Sequence, residues 1–284
     1  MKLEKERVLP IIKAALKEDI GKGDITSSAI IDKHHLTDAT IIVKDECSVC
    51  GVQVAEWLLG VIDYSVRFKP LCNDGDFLGA GAEVAAIDGH SASILRAERT
   101  MLNFLSLLSG IATRTKRFVD SAKPSGVRIM DTRKTYPLLR YLEKYAVSVG
   151  GGHNHRLGLF DQVLIKDNHL AVAGKSRSIP ELIALARARN PKGTIVEIEV
   201  GSIEDFRDAL SAGPDIIMLD NMRIADVKAC VEIRKRSQRK PLLEASGGIT
   251  LENVKDYTQC GVDTISIGAL TSSVTSIDMS LEIV

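Results

Sequence analysis

With 284 residues, 45% hydrophobic and 26% charged, the chain is long enough for one large or two modest soluble domains. Lys+Arg and Asp+Glu are equal at 37 each, so no global field favours nucleic acid or an acidic membrane surface, and any anion binding must be local. No apolar run approaches the roughly 20 residues that span a bilayer, the start lacks a signal peptide's apolar centre, and an odd count of 5 cysteines fits reduced cytoplasmic thiols.

In chain order, MKLEKERVLPIIKAALKEDIG predicts an amphipathic helix over about residues 5–19, ending at Gly21, with Asp24, Thr26 and Ser27 in the next turn. ATIIVKD and YSVRFKP read as strands, GVQVAEWLLG has a helical flavour, and NDGDFLGAGAEVAAIDG is glycine-rich. The lack of regular alternation suggests an α+β layer domain. Cys47 and Cys50 form a lone C-x-x-C. A redox or metal role would need a second pair or a helix N-terminus, and the flanking alternation reads instead as strand-turn-strand. A long helix is predicted from Ser91 to Ala122, with Ile94, Leu95, Leu102, Leu105 and Leu108 near helical spacing, Arg96, Glu98 and Arg99 between them, and a break at Gly110.

After Gly126 the grammar changes. Apolar runs at 127–131, 162–166, 194–200, 215–220, 241–246 and 263–268 alternate with helical patterns such as IPELIALARAR and SIEDFRDALSA. This repeated βα order implies parallel strands covered by helices, closed as a reduced TIM-like barrel or left as an open doubly wound sheet. Glu197 and Glu199 share one face of TIVEIEV, which suits a barrel interior better than a sheet buried under helices. Asp131, Lys166, Glu199, Asp220, Ser246 and Gly268 then fall at successive C-terminal strand ends, the active-site face of such barrels.

The stretch from Met130 to His169 concentrates the chemistry. Thr132, Arg133 and Lys134 follow one strand, Arg156 follows a triple glycine, and Lys166 ends another strand; Arg99 and Arg140 are further members of this basic set. Lys and Arg are usually solvated surface charges. Here most adjoin strands or a glycine turn, where a planar guanidinium fork and a compact ammonium would bind a small anion. Gly150, Gly151 and Gly152 could be a plain helix exit or could let backbone amides approach an anion. His153 and His155 lack the neighbours of a tetrahedral metal set, so His155 is read as a hydrogen-bonding group and His153 as structural. Glu199 and Asp220 could form internal ion pairs, or could hold sugar hydroxyls or Mg²⁺. Ser246, Gly247 and Gly248, and Ile267, Gly268 and Ala269, follow the last two strands, where backbone amides commonly bind phosphate.

The segments EDIGKGDITS, RAERTMLNFLSLLSGIAT, DTRKT, EKYAVSVGGGHNHRLGLFDQVLIKDNH, EIEV, MLDN, EASGGI and SIGALT span nearly the whole chain. In that order they resemble the quinolinate phosphoribosyltransferase family. The resemblance implies an N-terminal α/β sandwich over 1–109 and an incomplete TIM-like α/β barrel over 110–273, with the tail from about 274 to 284 packing back on the first domain. It implies transfer of a phosphoribosyl group from 5-phosphoribosyl 1-pyrophosphate to quinolinate with decarboxylation, in NAD biosynthesis, by a homodimer or larger assembly. Arg133, Arg156 and Lys166 would surround the quinolinate carboxylates near His155, with Arg99 reaching in from the partner subunit. Lys134 would face the donor, Glu199 and Asp220 its ribose and Mg²⁺, and the Ser246 and Gly268 loops its 5-phosphate. Lys134, Lys166, Glu199 and Asp220 are the catalytic candidates. Three residues depart from the family pattern: Ser272 stands where many relatives have histidine, Leu138 where glycine is common, and Tyr136 where a smaller residue is usual. They keep open a paralogous enzyme acting on another aromatic acid, of the molybdenum-transport-associated type, or a non-catalytic sugar-phosphate-binding protein.

Overall fold

The computed structural model describes residues 1–173 and 176–284. Helix α1 (Lys5–Ile20) buries Val8, Ile12 and Leu16 along one stripe and stops at Gly21, whose φ of 54° turns the chain out of the helix. The expected turn at Asp24 is the N-cap of a short helix, α2 (Ile25–Ile30): the carboxylate accepts from the Thr26 and Ser27 amides. Strands β1 (Leu36–Val43) and β2 (Cys47–Ser48) lead to helix α3 (Val52–Ile62), then to β3 (Arg67–Pro70), β4 (Phe77–Leu78) and β5 (Glu83–His90). Helix α4 (Ser91–Ala122) occupies the predicted span. It runs unbroken through Gly110, where a side chain would collide with the Thr275 carbonyl, so close approach and not a helix break accounts for that glycine.

Beyond α4 come β6 (Arg128–Met130), α5 (Arg140–Val149), β7 (Val163–Ile165), α6 (Asp167–Ala173), α7 (Ile179–Arg189) and β8 (Val196–Val200). Then follow α8 (Ile203–Ala212), β9 (Ile216–Asp220), α9 (Ile224–Arg236), β10 (Leu242–Ser246), α10 (Val254–Thr258), β11 (Thr264–Ser266), α11 (Ala269–Ser272) and β12 (Met279–Ile283). The turns carry their own chemistry: Ser178 and Glu181 form a capping box at α7, and the Ser202 hydroxyl accepts from the Asp205 amide at α8.

Contacts divide the chain into two units, and the division is not a single cut. The first unit comprises Met1–Lys116, Thr135–Gly151 and Leu270–Val284. Its antiparallel sheet has the order β12-β1-β5-β3, with Ile41 opposite Leu281 on the C-terminal strand. Along β1, Ala39, Ile41 and Val43 are buried with the period of two that a one-sided sheet requires. Helix α5 belongs to this unit although the sequence groups it with the barrel. Tyr145 donates to Asp74 at 2.7 Å, and Gly150 approaches the Ala112 carbonyl too closely for any side chain. That glycine serves helix packing inside the first unit, which removes it from the anion-binding reading. Cys47 and Cys50 are buried, and desolvation pushes the Cys47 thiol up to about 11 and Cys50 well above its ordinary value.

The second unit comprises Arg117–Lys134 and Gly152–Ala269. Its six parallel strands have the order β6-β11-β10-β9-β8-β7. Successive strands from β7 to β11 are neighbours and β11 returns to β6, which is the order of a barrel left open between β6 and β7. At that opening His153 bridges to Met130, its amide donating to the Ile129 carbonyl at 2.8 Å. All five residues of β8 are buried. Val196, Ile198 and Val200 alternate with Glu197 and Glu199, so the inner face is polar and the outer one apolar.

Candidate active site

Strand register lines up the rim. Met130, Ser266, Ser246 and Asp220 stand side by side on β6, β11, β10 and β9. Ile165 pairs with Ile198, so the next residues, Lys166 and Glu199, are neighbours, and Lys166 Nζ lies 2.9 Å from Glu199 Oε2. A partly exposed ion pair contributes only about 1 kcal/mol or less. Its larger consequence is that the Lys166 ammonium is held at the strand end.

Asp220 is fixed from the other side. The Asn221 amide nitrogen donates to Asp220 Oδ2 at 2.6 Å, and the Asn221 backbone N–H donates to the Ser246 carbonyl at 2.9 Å. Asn221 adopts a left-handed conformation (φ 53°) and presses on Gly247 (φ 92°), where any side chain would collide with its amide. The end of β9 and the Ser246-Gly247-Gly248 loop are thereby coupled. On β11, the Ile267 N–H donates to the Met130 carbonyl at 2.9 Å. A Cβ placed on Gly268 would stand 2.8 Å from Lys134 Cδ and 3.6 Å from Thr132 Oγ1. Thr132, Lys134, Ile267, Gly268 and, opening α11, Ala269 thus form one corner of the rim. Thr132 Oγ1 also accepts from the Lys134 amide at 3.1 Å.

Arg133 and Arg156 are close enough for the Arg133 charge, after burial, to lower the Arg156 pKa. Like charges repel, and an anion bound by both would relieve that repulsion. Arg156 is buried and donates Nη1–H to the Gln162 carbonyl at 3.2 Å. The turn after it is ordered by Asp161, which accepts from the Leu157 and Gly158 amides.

Beneath the rim lies a buried polar cluster. Asp131 is fully buried and accepts from the Asn154 side chain at 2.7 Å and the His155 amide at 2.8 Å. His155 Nδ1 accepts from the Arg156 amide at 2.9 Å, while Nε2 lies 3.0 Å from Glu197 Oε2 and 3.7 Å from Glu244 Oε1. Glu197 also accepts from the Gln162 side chain, and Glu244 accepts from Thr264 at 3.3 Å. Burial, together with the neighbouring Glu197 charge, pushes Glu244 up to about 7. Among the described residues this is the one group of three side chains spaced to hold a metal ion. Its chemistry argues against that use: an imidazole whose Nδ1 accepts carries its proton on Nε2 and offers no lone pair there.

Of the residues assigned to substrate binding and catalysis, all but Arg99 fall in the second unit. Arg99 is exposed on α4 in the first. Arg140, the other outlying cation, also lies in the first unit and donates to Thr135 at 3.0 Å. Sequence reasoning missed Gln162, Asn221 and Glu244. Glu244 had a signal, since it precedes Ser246 by two residues as Glu197 precedes Glu199, and period two turns both glutamates inward. Gln162 had none, because its bond to Glu197 is long-range, and the hold of Asn221 on the Ser246–Gly247 loop had none either.

The chain matches the model of the quinolinate phosphoribosyl transferase N-terminal domain over residues 24–109 and of the C-terminal domain over residues 111–282. It is 42% identical to a probable carboxylating nicotinate-nucleotide pyrophosphorylase of Methanocaldococcus jannaschii, over 99% of this chain and 98% of that protein. It is 41% identical to a protein of the same name from Bacillus subtilis, over 94% of this chain and 90% of that one. Among solved structures, the nicotinate-nucleotide pyrophosphorylase of Francisella tularensis superposes with a TM-score of 0.93 at 36% identity, covering 100% of this chain and 98% of that one.

Proposed function

We infer the chemistry of this site from the family to which the chain belongs, the quinolinate phosphoribosyltransferases. The enzyme transfers the phosphoribosyl group of 5-phosphoribosyl 1-pyrophosphate to quinolinate with decarboxylation, giving nicotinate mononucleotide, pyrophosphate and carbon dioxide in NAD biosynthesis.

The assignment of residues is carried by Lys166, held by Glu199 at the end of β7, in the same unit as the buried Arg156 and as Arg133, whose charge Arg156 feels. Paired guanidinium forks suit the two carboxylates of a pyridine dicarboxylate, which are planar and bind bidentately. Lys134, packed along Gly268 beside Thr132, would meet the diphosphate of the donor. The amides of Ser246, Gly247 and Gly248 and of Ile267, Gly268 and Ala269 would take its 5-phosphate. Glu199 and Asp220 would take the ribose hydroxyls. Both are oxygen donors at neighbouring strand ends, a set that fits Mg²⁺ when diphosphate and water oxygens complete the shell. Bound there with the donor, Mg²⁺ would neutralise charge on the departing diphosphate.

The pyridine nitrogen attacks the anomeric carbon as the carbon–oxygen bond to diphosphate breaks. Glu199 and Asp220 are correctly signed to stabilise the positive charge that develops on the sugar. Alkylation leaves the ring nitrogen cationic. The adjacent carbon–carbon bond then breaks to release carbon dioxide, and the electron pair left on the ring takes a proton from solvent. No side chain need act as a strong base, so the protein contributes mainly positioning and electrostatics.

The assembly we propose is a cytoplasmic homodimer in which Arg99 of one protomer completes the carboxylate site of its partner. None of the described helices is long and apolar enough to cross a membrane. The test of the site is steady-state assay of pyrophosphate and carbon dioxide release with each substrate omitted in turn. Arg133→Ala and Lys166→Ala should each reduce turnover by about 100-fold or more while leaving the circular dichroism spectrum unchanged. Wild-type turnover in either variant would remove that residue from the site.

A further inference from the structure

His155, Arg156, Gln162 and Glu197 form a ring of contacts in which three links are hydrogen bonds and the fourth, His155 Nε2 to Glu197, is a close approach not aligned as a hydrogen bond. The Arg156 N–H donates to His155 Nδ1 at 2.9 Å, and His155 Nε2 lies 3.0 Å from Glu197 Oε2. The same Glu197 oxygen accepts from the Gln162 side chain, and the Gln162 carbonyl accepts from Arg156 Nη1 at 3.2 Å, which returns the circuit to its start. Arg156 is therefore gripped at both ends, at its backbone amide and at its guanidinium. Glu197 is fully buried, the His155 side chain is only 6% exposed, and Glu244 closes the cluster from below. From this geometry we propose that Glu197 and Gln162 are positioning residues, which fix the tautomer of His155 and the orientation of the Arg156 fork for the pyridine dicarboxylate.

The circuit gives each member a defined job. With Nδ1 accepting, the proton of a neutral imidazole must reside on Nε2, and the Glu197 carboxylate opposite stabilises that tautomer. Glu197 also supplies a buried negative charge that partly offsets the repulsion between Arg156 and Arg133. Removing the carboxylate would leave the imidazole and the Gln162 amide without the acid that faces both, and the Arg156 guanidinium without one nearby compensating charge. The proposal rests on the reading of Arg156 as a carboxylate ligand, so the experiment must separate the two.

The measurement is the KM for quinolinate and for the phosphoribosyl donor in Glu197→Leu, Glu197→Gln, Gln162→Leu and Arg156→Ala, with folding checked by thermal melting. Displacing a binding group by about 1 Å costs on the order of 10- to 100-fold. A rise of that size is expected in the quinolinate KM of Glu197→Leu, with the donor KM unchanged. Glu197→Gln keeps an oxygen able to accept from both Gln162 and His155 and should recover most of the loss. Gln162→Leu retains the backbone carbonyl and should show a smaller rise in the same KM. It decides the matter if Glu197→Leu does not fold. Nitrogen-15 NMR of the imidazole should report the Nε2–H tautomer in the unsubstituted enzyme and a shifted Nε2 resonance in Glu197→Leu, where the facing carboxylate is gone. An unchanged quinolinate KM in the folded Glu197 and Gln162 variants, or an equal rise in both KM values, would overturn the proposal. An unchanged quinolinate KM in Arg156→Ala would instead overturn the reading of the site.

Discussion

At the residue scale, the buried carboxyl pair gives this protein a specific pH response. Glu244 is held from the ordinary glutamate value of 4.5 up to about 7, because burial and the Glu197 charge both penalise its ionised form. The folded state therefore holds a proton that the unfolded state releases. Below pH 4.5 both states are protonated and no penalty applies; between 4.5 and 7 stability falls as pH rises; above 7 the full penalty is present. Its size is on the order of 3 kcal/mol. Glu244→Gln imitates the protonated side chain and should be more stable than the unsubstituted protein above neutrality, the advantage vanishing toward acid pH. Urea denaturation of both proteins at pH 5 and pH 8 tests this. Asp24, Asp63 and Asp161 have lowered pKa values and work in the opposite sense, but they are common to both proteins and cancel in the difference.

Among the elements, the connection between β6 and α5 carries a strain that the sequence advertises. Leu138 adopts φ 66° and is 86% exposed, so it holds a left-handed conformation with little burial in return. For a non-glycine residue this conformation costs about 1–2 kcal/mol, and glycine's extra freedom in the unfolded chain gives back about 0.5–1 of it. Leu138→Gly should accordingly stabilise the protein by about 0.5–1 kcal/mol, and Leu138→Ala should not. A loss of stability in Leu138→Gly by denaturant titration would mean that the leucine's contacts outweigh the strain. The same stretch marks how far elements could be read from sequence. Helix α4 and the succession of parallel strands were legible because apolar periodicity is a local property. The membership of α5 in the first unit was not, because the Tyr145–Asp74 bond and the Gly150 approach link residues far apart in the chain. Period two placed Glu197 and Glu199 on the inner face, yet nothing local in the sequence ties Gln162 to Glu197 or Asn221 to Ser246 and Gly247.

At the scale of the whole molecule, the proposed sharing of Arg99 between protomers makes a quantitative prediction. Arg99 sits on α4 in the first unit, whereas Lys166 and the arginine pair sit on the second. Suppose that Arg99→Ala and Lys166→Ala proteins, each inactive alone, are mixed under conditions that let subunits exchange. If Arg99 serves the partner's site, a mixed dimer has one site lacking both groups and one site lacking neither. Random exchange makes half of the dimers mixed, so about a quarter of the unsubstituted activity should return. If Arg99 instead serves its own protomer's site, each site in a mixed dimer lacks one group and no activity returns. Recovery should rise with the fraction of mixed dimers, which native mass spectrometry can count. Recovery without subunit exchange would contradict the shared site, and so would exchange without recovery.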